Sequence, residues 1–308
     1  MKDADLKISL ENLQKLNDRI RRTEEMKLYD LSLVSESLAQ AFFSYREDFD
    51  VLTSFSLLTE NHAISRTHSD DDALPENGKL LRQKESFESL MEDVSLASFF
   101  MQSLENKKWF LTESDFFWQT VVNRKVSFAS DALTEEAYEV FSEEYGEFTP
   151  LVFPSVKEAV KALEDGESGY CLLPFEEDEG NRFSHTQEWI EKYDLKIVAV
   201  TPVYGYDGAA NMKYALLSDT LSVLPYSKED DRYLELRLPE HDALFGLGAI
   251  VEYFGFSVLK IGKIPKSNEN RYFAVVKSEG QSFLPLLVFY SLFSPDVSFV
   301  GIYKNLET

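Results

Sequence analysis

The stretch Gly166-Glu167-Ser168-Gly169-Tyr170-Cys171-Leu172-Leu173-Pro174-Phe175-Glu176 decides the fold class of this chain. Its apolar run, Tyr170 to Leu173, is short and ends at Pro174, as an extended segment does. On its N-terminal side, residues 155–164 read as a helix capped by Ser155, and 151–153 as extended. Before these, 134–145 read as a helix with Thr134 as N-cap and Glu135 and Glu136 in its first turn, and 121–129 as a strand. On its C-terminal side come a helix at 186–193, a strand at 196–201 and a short strand at 213–217. Strands alternating with helices predict a mostly parallel sheet with helices on its faces.

The flanking regions have other periods. Residues 225–231 are polar and break the pattern, and the chain beyond reads strand 232–238, helix 242–254, strand 257–264, strand 271–276, helix 283–293 and strand 298–303. That βαββαβ order predicts a ferredoxin-like plait. Residues 6–118 are helical instead. Leu10, Leu13, Leu16 and Ile20 share one face, Leu31, Val34, Leu38, Ala41, Phe42 and Tyr45 form a second series, and Met91, Val94, Ala97, Phe99 and Met101 a third. Neither Gly nor Pro occurs before Pro75, which favours long helices. Residues 62–78, with Asp70, Asp71, Asp72, Pro75 and Gly78, read as an acidic loop between the second and third helices. No internal repeat is visible.

Composition narrows the function classes. The chain has 308 residues, enough for two or three domains, and a net charge of −23. Such acidity repels phosphate backbones and anionic lipid, so neither nucleic acid nor a membrane surface is expected as a partner. The single cysteine, Cys171, excludes an internal disulfide framework and a Cys-rich zinc site. With no apolar leader segment and no long uncharged apolar run, a soluble cytoplasmic protein is expected. No cofactor and no metal site is expected. His62, His68 and Asp70–Asp72 read as part of the acidic loop, Cys171 as a small buried residue, and His185 has no nucleophile signature beside it. Gly205 and Gly208 flank a turn and do not open a helix, so no phosphate loop is present.

Against this background three segments carry a resemblance. Residues 231–308 resemble an ACT domain, the small module that commonly binds amino acids. His241-Asp242-Ala243-Leu244 stands where the version attached to prephenate dehydratase has Pro-Gly-Ala-Leu. Gly262-Lys263-Ile264-Pro265 stands for its Glu-Ser-Arg-Pro, and Phe299-Val300-Gly301-Ile302-Tyr303 for its Leu-Gly-Ser-Tyr ending. The middle segment, 119–224, is similar to the first lobe of prephenate dehydratase. Its run into Pro174-Phe175-Glu176-Glu177-Asp178 tracks the family's Pro-Ile-Glu-Asn-Ser motif, and Leu195-Lys196-Ile197-Val198-Ala199 the following strand. The family's Gly-Pro-x-Gly-Thr-Phe-Ser loop corresponds to Ala129-Ser130-Asp131-Ala132-Leu133-Thr134. Residues 1–118 then fall where bifunctional P-proteins carry a chorismate mutase: Leu10-Glu11-Asn12-Leu13-Gln14, Leu31 through Tyr45-Arg46, and Met91 through Ser98 and Gln102 fit that register.

The resemblance implies a chain of α and α+β domains: a helical chorismate-mutase-like domain (1–118), a truncated α/β dehydratase-like lobe (119–224) and an ACT domain (231–308). It also marks departures. A mutase site needs fixed cations around two carboxylates. Arg46, Ser98 and Gln102 remain at the matching positions, but two expected arginines are Gln14 and Ser35. The dehydratase Thr-Arg-Phe segment reads Met212-Lys213-Tyr214, which removes the hydroxyl acid and turns a bidentate fork into a point charge. Asp178, with Glu176, Glu177 and Glu179, makes the motif acidic, and only residues 202–211 separate two strands between which the family inserts a second lobe. In the ACT segment, Asp242, Ala243, Leu244, Ser257 and Lys263 are the expected ligand contacts, with Asp242 placed to pair with a ligand ammonium. The expectation is a degenerate, ligand-sensing or regulatory homodimer binding an amino acid or a chorismate- or prephenate-like molecule. An active chorismate mutase with rearranged cations and a purely structural dimer remain the alternatives.

Overall fold

A computed structural model of the chain describes residues 2–62, 76–116, 121–146, 148–177, 180–204, 211–221, 231–239, 244, 246–264, 271–294 and 296–306. Among these residues are helices and two sheets, a mixed α and β architecture. The chain divides between Leu111 and Thr112 into two units.

The first unit is helical: α1 (Lys2–Arg46), α2 (Val51–His62) and α3 (Glu76–Asn106). The first two apolar series of the sequence lie on one helix, because nothing in residues 2–46 interrupts it. The break comes at Asp48–Asp50, where Asp50 accepts hydrogen bonds from the Thr53 amide (2.8 Å) and hydroxyl (2.6 Å) and so caps α2. The core residues of α3 are Leu90, Val94, Ala97, Phe100 and Leu104, at steps of four and three. They meet Leu38, Ala39 and Phe42 of α1 and Phe55 and Leu58 of α2 in the buried interior of this unit. The Phe42 ring lies 4.4 Å from Phe55, 5.5 Å from Phe100 and 5.0 Å from Trp109, a packed aromatic centre.

The second unit opens with a 3₁₀ turn, Glu113–Phe116. It continues through β1 (Lys125–Ala129), α4 (Ala132–Tyr145), β2 (Thr149–Phe153), α5 (Val156–Glu164), β3 (Tyr170–Glu176), α6 (Ser184–Lys192), β4 (Lys196–Tyr204) and β5 (Asn211–Ser218). The sheet order is β2-β1-β3-β5-β4. β1 pairs parallel with β2 and β3, whereas β5 pairs antiparallel with β3 and β4. The expectation of a mostly parallel sheet is therefore corrected. The link from β4 to β5, residues 205–210, is far shorter than a parallel crossover needs, so the two strands form a hairpin. Gly205 and Gly208 lie outside the described residues. A second correction concerns α4. Its N-cap is Asp131, which accepts from the Thr134 amide at 2.9 Å, and Thr134 is the capped residue. Ser155 caps α5 as expected. Both faces of this sheet are covered. Cys171, Leu173 and Phe175 pack with Ala159, Leu163 and Ile190 of α5 and α6. Tyr170 and Leu172 alternate to the other face, with Ala137 and Phe141 of α4.

The remaining elements are β6 (Asp231–Leu238), α7 (Leu247–Tyr253), β7 (Ser257–Lys263), β8 (Tyr272–Glu279), α8 (Leu284–Phe293) and β9 (Ser298–Tyr303). Their sheet runs β7-β8-β6-β9, antiparallel throughout. α7 begins at Leu247, later than its periodicity implies, after Gly246 in the left-handed region at φ 75°. α8 buries Leu286 to Tyr290 without interruption, as well as Leu292 and Phe293, so it is a core helix. The Glu113 carboxylate sits at its start, accepting from the Phe283 amide (2.5 Å), the Ser282 hydroxyl (3.0 Å) and Arg232 Nη1 (3.2 Å).

The two sheets share one core. Val300 and Tyr303 of β9 pack with Phe175, Ile197 and Val200 of the first sheet. The Val200 amide donates to the Lys304 carbonyl (3.1 Å) and the Leu306 amide to the Val200 carbonyl (2.8 Å), so the tail after β9 runs along the edge of β4. A Cβ at Gly301 would overlap the Ile197 carbonyl, so backbone meets backbone there.

Candidate functional site

Where the two sheets meet, the second unit buries a cluster of charges. Glu176 ends β3, in the strand that follows from the apolar run at Tyr170. Its Oε1 lies 3.1 Å from Lys213 Nζ on β5; its Oε2 lies 2.8 Å from Lys260 Nζ on β7 and 3.0 Å from Arg182 Nε. One carboxylate thus holds three cations. Lys260 also donates to the Gly180 carbonyl. Arg182 pairs through Nη2 with Glu235 on β6 at 2.9 Å. Its guanidinium carbon lies 3.6 Å from the Phe175 ring centroid and 5.0 Å from that of Phe273. Arg237 reaches the same Glu235 at 3.5 Å and donates to Gln187 Oε1 on α6 at 2.7 Å.

The electrostatics follow from this arrangement. Burial disfavours the Glu176 anion, but Arg182, Lys260 and Lys213 outweigh it and hold the carboxyl below its usual value. Burial also works against the Arg182 cation, and Glu235, Tyr303 and Glu176 overcome it. Arg237 is pushed down by burial, which Glu235 offsets only in part. Burial raises the Tyr303 hydroxyl well above the ordinary tyrosine value, so it stays protonated. Beside the cluster is a cavity of about 300 Å³ whose wall includes Glu176, Arg182, Lys213, Lys260, Tyr233 and Tyr303. Tyr233 and Tyr303 stack at 5.8 Å with a 24° tilt. The cavity is at the lower end of the range for small-molecule pockets, with the usual mix of apolar wall and few polar groups.

The residues singled out from sequence fall elsewhere. Arg46 is in the last turn of α1 and donates to the Phe49 carbonyl at 2.8 Å, as a helix-end cap does. Ser98 donates to the Val94 carbonyl one turn back at 3.2 Å, and Gln102 is exposed on the same helix. Ser35, at a lost arginine position, is buried and hydrogen-bonds Ser103 at 3.2 Å. The hydrogen bonds of Arg46 and Ser98 are local and do not join them. Asp242 and Ala243 lie outside the described residues. Leu244 is half-buried, and Ser257 and Lys263 are exposed at the two ends of β7. Asp178, Glu179, His68 and Asp70–Asp72 also lie outside the described residues, and among the described residues no group of His, Cys, Asp and Glu has the makings of a metal site. Among those residues too, no helix is long and apolar enough to cross a membrane.

Sequence reasoning reached Glu176 and Lys213 but not Arg182, Glu235, Arg237, Lys260 or Tyr303. A signal exists in β6. Leu234, Leu236 and Leu238 alternate with Tyr233, Glu235 and Arg237, which reads as one apolar face and one wet face. Glu235 is fully buried all the same, because the first sheet's elements cover that side.

No family profile matches the chain, and no curated protein does. Solved structures show likeness at low identity. Prephenate dehydratase from Streptococcus mutans is 16% identical with a TM-score of 0.46, over 59% of this chain and 99% of that one. Prephenate dehydratase from Arthrobacter aurescens, in complex with L-Phe, is 13% identical with a TM-score of 0.45, over 58% and 89%. GqqA, described as a novel type of quorum-quenching acylase, is 15% identical with a TM-score of 0.44, over 59% and 95%.

Proposed function

We propose that this chain is a catalytically degenerate, ligand-sensing or regulatory protein of aromatic amino-acid (phenylalanine) biosynthesis. In this reading it combines a chorismate-mutase-like helical domain, one dehydratase-like lobe and an ACT-like plait. One observation carries the proposal: Glu176 and Lys213, which stand at dehydratase motif positions, are paired with each other and tied to Lys260 and Arg182. A prephenate dianion entering there brings two carboxylates against a resident one that already shares the same cations, more negative charge than the cluster's surplus of cations can answer. The β4–β5 hairpin supports the same reading, because a second lobe has no place in so short a link. Met212 supplies no hydroxyl to protonate a leaving group. A homodimer through the plait fits β7, an end strand of its sheet with Leu259 and Ile261 exposed.

The test is a pair of measurements on the full chain. With prephenate, no phenylpyruvate above the uncatalysed background is expected; formation proportional to protein overturns the degenerate half. In thermal melts with Phe, Tyr, Trp, chorismate and prephenate, at least one is expected to raise the melting temperature. No shift with any of them overturns the sensing half.

A further inference from the structure

Charge is distributed unevenly in this protein. The chain carries a net charge of −23. Yet among the described residues, the cluster between the two sheets has four cations, Arg182, Lys213, Arg237 and Lys260, against two carboxylates, Glu176 and Glu235. Surplus positive charge in a partly dehydrated pocket is costly unless an anion answers it. Lys213 and Lys260 stand at the accessible part of this arrangement, with side chains 39% and 29% exposed. An ammonium has three donors. Lys213 spends one on Glu176, and Lys260 one each on Glu176 and Gly180. A second, independent sign is in the wall itself. Arg182 is buried to 4% exposure, lines the cavity, and keeps Nη1 without a hydrogen-bond partner; Gln187 Nε2 and Arg237 Nη1 are left the same way behind it. Apart from Asn305 and Gly180, the rest of the wall is apolar or aromatic, with Tyr233 stacked on Tyr303 and Val200, Leu259 and Val275 beside them.

We infer that the 300 Å³ cavity is a binding site for a small organic carboxylate with a flat apolar body, its carboxylate seated on Lys213 and Lys260 and its body against Tyr233 and Tyr303. Glu176 competes for both ammonium groups and shares them with the ligand, whose carboxylate brings the cluster to three anions against four cations. Because Lys213 and Lys260 belong to different sheets, the ligand bridges the joint between them. Leu244, Ser257 and Lys263, the described residues among the ligand contacts the sequence singled out, are not part of its wall. The inference rests on the proposed reading of the chain as ligand-sensing and of this lobe as non-catalytic. The two fail differently: phenylpyruvate formation overturns that reading whatever this cavity binds, and an empty cavity overturns only the inference.

The test is titration calorimetry on the full chain at fixed ionic strength with benzoate, with benzamide as its uncharged isostere and inorganic phosphate as an anion without an apolar body. Benzoate is expected to bind at least tenfold more tightly than either. Lys213→Gln, at the exposed side of the cluster, and Lys260→Gln are each expected to weaken benzoate at least tenfold. Glu176→Gln removes the competitor and is expected to tighten benzoate severalfold, an effect opposite to that of a merely damaged site. Equal binding of benzoate and benzamide, phosphate binding as tightly as benzoate, or no benzoate binding at millimolar concentration overturns the inference. So does a Glu176→Gln protein that stays folded by circular dichroism and binds benzoate more weakly. If Glu176→Gln does not fold, the comparison of the three probes on the unmodified chain and on Lys213→Gln decides alone.

Discussion

Arg182 Nη2 lies 2.9 Å from Glu235 Oε2, and the pair spans the two sheets of the second unit with both side chains buried. Glu235 also faces Arg237 at 3.5 Å, so a single carboxylate stands between two buried guanidinium groups. Removing it leaves Arg237 without its ion-pair partner and Arg182 with Glu176 alone, in a low-dielectric setting. Glu235→Ala is expected to destabilise the protein by about 3–5 kcal/mol. Urea unfolding followed by circular dichroism measures this. A loss under about 1 kcal/mol would mean that the cluster is hydrated and the pair weak.

Gly301 and Ile197 mark the closest approach of the two sheets. A methyl group at 301 pushes β9 away from β4 and disturbs the packing of Val300 and Tyr303. Gly301→Ala is expected to cost about 1–3 kcal/mol. The same change at Gly166, where the added Cβ meets nothing but φ is 73°, tests strain without a clash. Thermal melts of the two variants distinguish the mechanisms.

The response to pH has a defined sign at both ends. Burial pushes the Cys171 thiol up from 9.0 to about 12, against a small opposing effect of Ser127. The folded state therefore favours the neutral thiol. Its contribution is complete below about pH 9 and is lost as pH rises toward 12. Glu176 acts in reverse. Its carboxyl is held below its ordinary value of 4.5, so its contribution is complete above that pH and is lost as pH falls through the folded value. Melting temperatures across the range are expected to fall at both extremes, and Cys171→Ser or →Ala is expected to remove part of the alkaline limb. Native protein is also expected to resist alkylation at Cys171 at neutral pH until it is unfolded.

If chorismate is converted to prephenate by this chain, the activity is expected to depend on Arg46 and Gln102. Arg46 has first to leave the Phe49 carbonyl, to which it now donates. Loss of activity in the double change Arg46→Ala, Gln102→Ala supports the alignment of the helical domain, and retention shows it to be out of register.

Local order was legible without coordinates. The short apolar run Tyr170–Leu173 ending at Pro174 placed β3, since its length and its end can be read from residue types alone. Ser155 announced its helix because an N-cap acts within one turn. Signals that compete over the same few residues were less clear. Thr134 reads as a cap, but the structure gives that role to Asp131 three residues earlier, whose carboxylate is the stronger acceptor. The break at Asp48–Asp50 was hidden by apolar residues on either side.

The sequence by itself determined which segments become helix or strand, because period, capping and the scarcity of Gly and Pro act over a few residues. The β4–β5 hairpin came only with the structure, where β4 extends to Tyr204 and β5 starts at Asn211, leaving a link too short for a crossover. Only the tertiary structure decided the site. Glu176, Arg182, Lys213, Glu235, Arg237 and Lys260 come from separate segments of the chain, each of which reads as surface-compatible on its own. They meet because β9 packs its Val300 and Tyr303 into the core of the first sheet, which closes one sheet's polar face against the other. Burial turns six ordinary charges into one coupled group, since Coulomb interactions lengthen in reach and grow in strength once water is removed.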